Sequence, residues 1–250
     1  MFSSIKRAFS AFTAKPFLFI WGSFLYLFLS LVLLLAMCGL FLIYFMVASA
    51  FSYELTFEAT LESLPNIVVV VVLAATLLYF LGAFNAALAR TYNDAVSGVK
   101  TSFLDFYHYG LSRAPVMFGI LLMRILVSLL VIGPVVLIYY YFLTDYEYMD
   151  YLLYLYTLVM VFIVDMVFTP VFIPASLGST PFESFRTAFL TWKNKHVYFI
   201  GVYILFAIVW LLNFIPFIQL ATIFVLYPII YSAMILLVEK GNIAPKEAQG

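Results

Sequence analysis

Apolar residues run through this chain in long unbroken stretches separated by short polar segments. The stretches fall at about 17–49, 67–92, 115–144, 151–177, 197–215 and 217–239. Each is close to or longer than the ~20 residues an α-helix needs to cross a hydrocarbon core. None alternates apolar and polar positions as a barrel strand does, and lipid admits only helices and closed barrels as spanning structures. The pattern therefore predicts an all-α polytopic membrane protein with six transmembrane helices. The first stretch holds no charge from Phe17 to Ala50. At ~1.5 Å per residue it exceeds a ~30 Å core, so it should tilt, bend near Gly39 or project beyond the bilayer. Asn213, Phe214, Ile215 and Pro216 join the last two spans in a tight hairpin.

A second periodicity lies in the polar segments. Phe2, Ile5, Phe9 and Phe12 recur at helical spacing among Ser3, Ser4, Lys6, Arg7 and Ser10. Phe182, Phe185, Phe189 and Trp192 repeat this stripe 180 positions later, with Glu183, Arg186 and Thr187 between them. At the same offset Ser4 matches Ser184, Ala8 matches Ala188, Lys15 matches Lys195, Phe19 matches Phe199 and Ile20 matches Ile200. A weaker copy, Val99, Phe103, Phe106 and Leu111, precedes Arg113 and Pro115. The predicted architecture is three repeats, each an interfacial amphipathic helix (about 2–14, 99–112 and 181–195) followed by two spans. The stripes are expected to enter the acyl boundary while Lys and Arg meet anionic headgroups. They either anchor the spans or recognise lipid or a protein partner.

Composition agrees with this class. Of 250 residues, 66% are hydrophobic and 10% charged, which leaves too little polar surface to cover a soluble core. The lone Cys38 excludes an intrachain disulfide. The first apolar stretch is longer than the ~7–15 residues of a signal core, so a cleaved signal is not expected. Charge sets the orientation. Lys6, Arg7, Lys15, Arg90, Lys100, Arg113, Arg186, Lys193, Lys195, Lys240 and Lys246 fall on one side, with Asp94, Asp105, Glu183, Glu239 and Glu247. The other side carries Glu54, Glu58, Glu62, Asp145, Glu147 and Asp150 and no basic residue. The positive-inside rule then places both termini, and a short tail at 240–250, in the cytoplasm of a cell-membrane protein.

Arg124 and Asp165 are the charges well inside predicted spans. Counting ~1.5 Å per residue puts both near the midplane of the hairpin formed by spans three and four. A lone charge there costs at least ~2.5–3.5 kcal/mol, so the two are expected to pair. The pair either fixes hairpin register or serves as an ion, proton or headgroup site. Water access separates these readings, because a carrier should expose Asp165 to a cavity and a scaffold should bury it dry. Gly82, Ala83, Asn85, Ala86, Ala87 and Ala89 form a small-residue face suited to close helix packing or an oligomer contact, with Asn85 able to bond across it. Pro134, Pro170, Pro174, Pro216 and Pro228 interrupt spans and should kink them. Glu54, Glu58 and Glu62 recur every four residues as a solvated acidic face or a weak hard-cation site. Eight tyrosines between Tyr139 and Tyr156 read as an interfacial belt.

Phosphate-binding loop, dinucleotide fingerprint, zinc-protease and nucleophile-elbow motifs are missing from the sequence, as is any metal-spaced Cys/His cluster. His108 and His196 lie in different interfacial segments, and His196 sits beside Lys193 and Lys195, which suits headgroup contact. No catalytic residue, cofactor, metal or nucleic-acid partner is expected; membrane lipids, a protein partner or a second copy are. The stretches 3–19, 86–119 (AALARTYNDAVSGVKTSFLDFYHYGLSRAPVMFG) and 181–201 resemble a loose group of prokaryotic six-span membrane families of unassigned function. The group includes the membrane domain fused to some glycerophosphodiester phosphodiesterases. The resemblance implies the six-span architecture; it does not extend to the phosphodiesterase domain or its activity. The expected function is a non-enzymatic membrane component, a scaffold, assembly or lipid-interacting subunit. The rival is a small-solute or ion transporter using Arg124 and Asp165.

Overall fold

The computed structural model describes residues 2–50, 64–143, 146 and 148–242. Glu54, Glu58, Glu62, Asp145, Glu147, Lys246 and Glu247 lie outside them, as does most of the expected tail. The described residues are helical, without a strand: α1 (Phe2–Ala14), α2 (Pro16–Ala50), α3 (Leu64–Ser97), α4 (Phe103–Ile138), α5 (Met149–Ser176), α6 (Pro181–Leu212), α7 (Gln219–Ala221) and α8 (Tyr227–Asn242). A π-helical turn extends α4 over Tyr139–Leu143, and another joins α7 to α8 over Thr222–Leu226. Six segments are long and apolar enough to cross a membrane: Pro16–Tyr44, Asn66–Ser97, Phe103–Phe142, Met149–Ser176, Pro181–Leu212 and Gln219–Val238. They support a multi-pass integral membrane protein.

Local chemistry sets the helix ends. Ser102 caps α4: its Oγ accepts from Asp105 N at 3.1 Å while Asp105 accepts from Ser102 N. Thr180 and Glu183 form the same reciprocal box on α6, with Pro181 in its first turn. At the other ends, Gly98 (φ +79°) and Gly178 (φ +113°) take left-handed backbone just beyond α3 and α5. Val99 N then donates to Asp94 O and Ser179 N to Pro174 O, closing each helix in a Schellman turn.

The expected breaks between stripes and spans are present in part. The segment at 99–112 is not a separate helix, because α4 runs from Phe103 straight through Pro115. Phe106, Gly110, Ala114 and Met117 form one buried seam, which a break at Pro115 would interrupt. The segment at 181–195 is set off from its span by a kink at Lys195, the non-helical residue inside α6 (φ −139°, ψ 17°). α1 is likewise separated from α2, at Lys15. No break occurs at Gly39, where α2 continues to Ala50.

The apolar stripes divide rather than facing lipid throughout. Phe2, Phe9, Phe182 and Phe189 point outward. Phe12 is buried against Phe19, with ring centroids 5.6 Å apart, while Ile5, Phe185 and Trp192 are half-buried against the core. Ser4, Ala8, Ser184 and Ala188 are buried beside them, because small side chains let these helices lie close to the bundle.

Burial is concentrated toward the end of the bundle that carries Lys15, Arg113 and Lys195, hereafter the basic end. There α3 presents Gly82, Ala83, Ala86 and Ala87, all buried. A Cβ added at Gly110 would lie 2.7 Å from Ala83 O and 3.3 Å from Ala87 Cβ, so α3 and α4 touch almost backbone to backbone. The Gly82 face is thus spent inside the subunit, against Met117, and not on an oligomer contact. Asn85 donates to Leu81 O at 2.8 Å in its own helix, and its side chain also bonds Tyr26 on α2. The opposite half of the bundle carries bulky Leu, Val, Phe and Tyr side chains that are largely exposed. Tyr140, Tyr141, Tyr148, Tyr151 and Tyr154 belong to this outer rim.

Three basic residues at the packed end, Arg113, Lys195 and Lys15, reach the C-terminal part of a helix. Arg113 Nε and Nη2 donate to Ala175 O at 3.1 and 2.8 Å, and Nη2 also reaches Ser179 O. Tyr109 donates to Ser176 O at 2.5 Å. Lys195 Nζ donates to Leu237 O at 3.3 Å in α8. The Lys15 ammonium lies against Gly98, at the end of α3. These cations lie toward the negative ends of the helix dipoles, and Arg113 supplies donors to a carbonyl in the last turn of α5.

Two outcomes are expected in unfolding experiments in detergent. Gly110→Ala should lose about 1–3 kcal/mol by forcing α3 and α4 apart, whereas Gly119→Ala, which meets open space, should change stability by less than about 0.5 kcal/mol. Arg113→Met should lose about 1.5–3 kcal/mol by stripping charged donors from the end of α5.

Candidate functional site

Between the packed half and the splayed half lies a cavity of about 480 Å³. All six spans contribute to its wall. Ser23, Tyr26 and Leu27 come from α2, and Leu88 and Tyr92 from α3. Arg124 comes from α4, and Leu158, Phe162 and Asp165 from α5. Tyr203, Phe206 and Trp210 come from α6, Ile223 from the π turn and Tyr227 from α8. The lining continues to Asn213, at the turn far from the basic end. α2 packs on α3 but makes no substantial contact with α5 or α6, and the cavity occupies that gap.

The structure brings Arg124 and Asp165 together. Arg124 Nη1 stands 2.6 Å from Asp165 Oδ1, and Tyr203 donates to Asp165 Oδ2 at 2.5 Å. Thr169 Oγ1 donates to Asp165 O at 2.8 Å, one turn along α5. The carboxylate therefore has a charged partner on one oxygen and a phenol on the other. It is not sealed in the core: the Asp165 side chain is 25% exposed and that of Arg124 31%. Such a site tolerates the pair because each charge is compensated and bonded.

Tyr203 leads from this pair to an aromatic wall. Its ring stacks on Phe199 and packs 5.0 Å from Phe162. Phe206 continues to Tyr227, which stacks on Tyr231 with centroids 5.6 Å apart. Tyr92 meets both tyrosines and contacts Ser23 Oγ at 2.7 Å.

Pro228 shapes the opposite wall. In the π turn, Tyr227 N donates back to Thr222 O. The next donor along would come from residue 228, a proline with no N–H, which leaves Ile223 O without a backbone partner. Ser23 Oγ reaches that oxygen at 3.4 Å. Thr222, buried beside it, bonds Asn213 and closes the hairpin. Pro170 and Pro174 are buried in α5 but do not line the cavity.

Sequence reasoning located Arg124 and Asp165 by depth. It missed Tyr203, Tyr92, Tyr227 and Ser23, whose signal could have been their polar atoms inside apolar runs. Among the described residues no group of three His, Cys, Asp or Glu could hold a metal ion. His196 Nδ1 lies 3.1 Å from Trp192 O, and neither His196 nor His108 reaches the cavity. Comparison of the chain with protein-family models, curated proteins and solved structures finds no match.

Removing one charge of the pair strands the other. Asp165→Asn and Arg124→Gln should each destabilise by about 2.5–3.5 kcal/mol, and the double variant by clearly less than their sum. Agreement with simple additivity within about 0.5 kcal/mol in a double-mutant cycle would show that the pair does not couple.

Proposed function

We propose that this protein is a small carrier or binding protein for an amphiphilic solute, which it holds inside the membrane against Arg124, Asp165 and Tyr203. One observation carries the reading: Asp165 faces a cavity lined from every span, instead of being sealed in the core. A scaffold gains nothing from placing a charge pair beside a void, because a dry pair packs better with side chains around it. The wall is mostly aromatic and aliphatic with a few converging polar groups, the usual make-up of a small-molecule site. The reading is non-enzymatic, since among the described residues no nucleophile stands beside a general base.

The surroundings support a lipid-facing role for the basic end, which on this reading faces the cytoplasm of a cell membrane. Lys6, Arg7 and Lys15 share a groove with Ser3 and Ser10, suited to anionic headgroups. The outward Phe2, Phe9, Phe182 and Phe189 flank the two helices at depths where acyl chains begin. Repeat organisation belongs to the same proposal. Ser4 and Ser184, Ala8 and Ala188, and Phe19 and Phe199 are buried alike, and Lys15 and Lys195 both interrupt helices. Lys15, Arg113 and Lys195 each sit against the end of the second span of their own unit. On this view the likeness to six-span prokaryotic families reflects one threefold-repeated scaffold.

Water access tests the carrier reading. In a Cys38→Ser background reconstituted in bilayers, Ala207→Cys on the cavity wall should react with a small impermeant thiol reagent. Ala86→Cys, buried between α3 and α4, should stay unmodified. Equal protection of both positions would mean a dry bundle and would rule the carrier reading out.

A further inference from the structure

The cavity wall carries two formal charges among the described residues, and they cancel. The rest of its polar lining is neutral: the hydroxyls of Ser23, Tyr26, Tyr92, Tyr203 and Tyr227, the Asn213 amide and the Trp210 indole. A site at this depth tolerates little net charge, because an uncompensated ion has lost its hydration and found no partner. A charged ligand must therefore be balanced within the site.

The two members of the pair differ in how they can respond. A guanidinium keeps its proton under all biological conditions, whereas a carboxylate can accept one. A cationic ligand that took Asp165 would strand Arg124, which cannot neutralise itself. An anionic ligand that took Arg124 would free Asp165 Oδ1, and a proton from water on that oxygen would restore neutrality. Tyr203 suits both states, since its hydroxyl can donate to Oδ2 of the carboxylate and of the neutral acid. The other groups facing Asp165 from neighbouring elements are Tyr26 on α2, Tyr92 on α3, Arg124 on α4, and Tyr227 and Tyr231 on α8. Apart from Arg124 these are phenols, so Asp165 is the group that takes the proton. One guanidinium balances one negative charge, and a dianion would leave a surplus.

Resting on the carrier reading above, we infer that the cavity takes a monoanionic amphiphile together with one proton, which is bound by Asp165. The planar fork of Arg124 fits a carboxylate or a phosphodiester. Leu27, Leu88, Phe162, Phe206 and Trp210 receive the apolar body.

The test is calorimetric binding of 3-phenylpropionate to the full chain in phosphatidylcholine nanodiscs, in buffers of different protonation enthalpy. Expected is uptake of close to one proton per ligand and about tenfold tighter binding for each unit the pH falls over the range where free Asp165 is ionised. The neutral 3-phenylpropanamide should bind weakly and without proton uptake, and 2-phenylethylammonium should not compete. Asp165→Asn should bind the carboxylate at least as tightly but independently of pH, and Arg124→Gln should lose the preference for anion over amide. Should either variant fail to fold, the proton count on the unmodified chain decides alone. Displacement of 3-phenylpropionate by phosphatidylglycerol in the discs supports the inference and assigns the site to a lipid headgroup; no displacement assigns it to a free acid. Stronger binding of the ammonium ion, carboxylate binding without proton uptake, or no carboxylate binding while Ala207→Cys still reacts would overturn the inference and leave the carrier reading standing. Protection of Ala207→Cys would remove both.

Discussion

Helices in a bilayer cannot be driven together by burying apolar surface, since lipid tails already cover it. What holds them is close van der Waals contact, and that requires small residues where the backbones meet. In this chain the small residues are unevenly placed. Gly82, Ala83, Ala86 and Ala87 on α3 meet Gly110 and Ala114 on α4, while Ala188 on α6 and Ala233 on α8 pack at the same end. The outer half has Leu, Val, Phe and Tyr in the corresponding places and stays open. The bundle is therefore closed at one end and splayed at the other, and the cavity sits where the two regimes meet.

The closed end is also where the basic residues collect, and they serve the fold directly. A spanning helix that ends at the interface leaves its last carbonyls without donors. Arg113 supplies donors to α5, Lys195 supplies one to α8, and Lys15 lies at the end of α3. The basic residues gathered at this end thus also bond helix carbonyls there. Two Schellman turns built on Gly98 and Gly178 complete the same boundary.

The polar site depends on both features. Arg124 and Asp165 project from neighbouring helices at the depth where tight packing stops, which gives their side chains room to meet and leaves one side open. Pro228 adds a defect to the opposite wall by withholding a backbone donor from Ile223 O, and Ser23 satisfies it. Proline, small residues and a charge pair, each tolerable alone in a membrane helix, combine here into a concave surface.

Counting residues along the chain was enough to find six spans and to place Arg124 and Asp165 at one depth, because hydropathy and helix rise are local properties. The gathering of Lys15, Arg113 and Lys195 at one end was equally legible, since it needs only the order of the segments. The small-residue face of α3 was visible too, though not its partner: the contact with Gly110 is decided by how two helices dock. The same holds for the stripes, whose period revealed helices but not that Phe12 turns inward while Phe9 turns out. Continuity through Pro115 escaped a local reading because the seam from Phe106 to Met117 stabilises the helix from outside it. Tyr203, Tyr92 and Ser23 were indistinguishable in sequence from other polar atoms in apolar runs. Only tertiary structure could select them, because membership of the site depends on which faces of six helices converge, and no single helix encodes that.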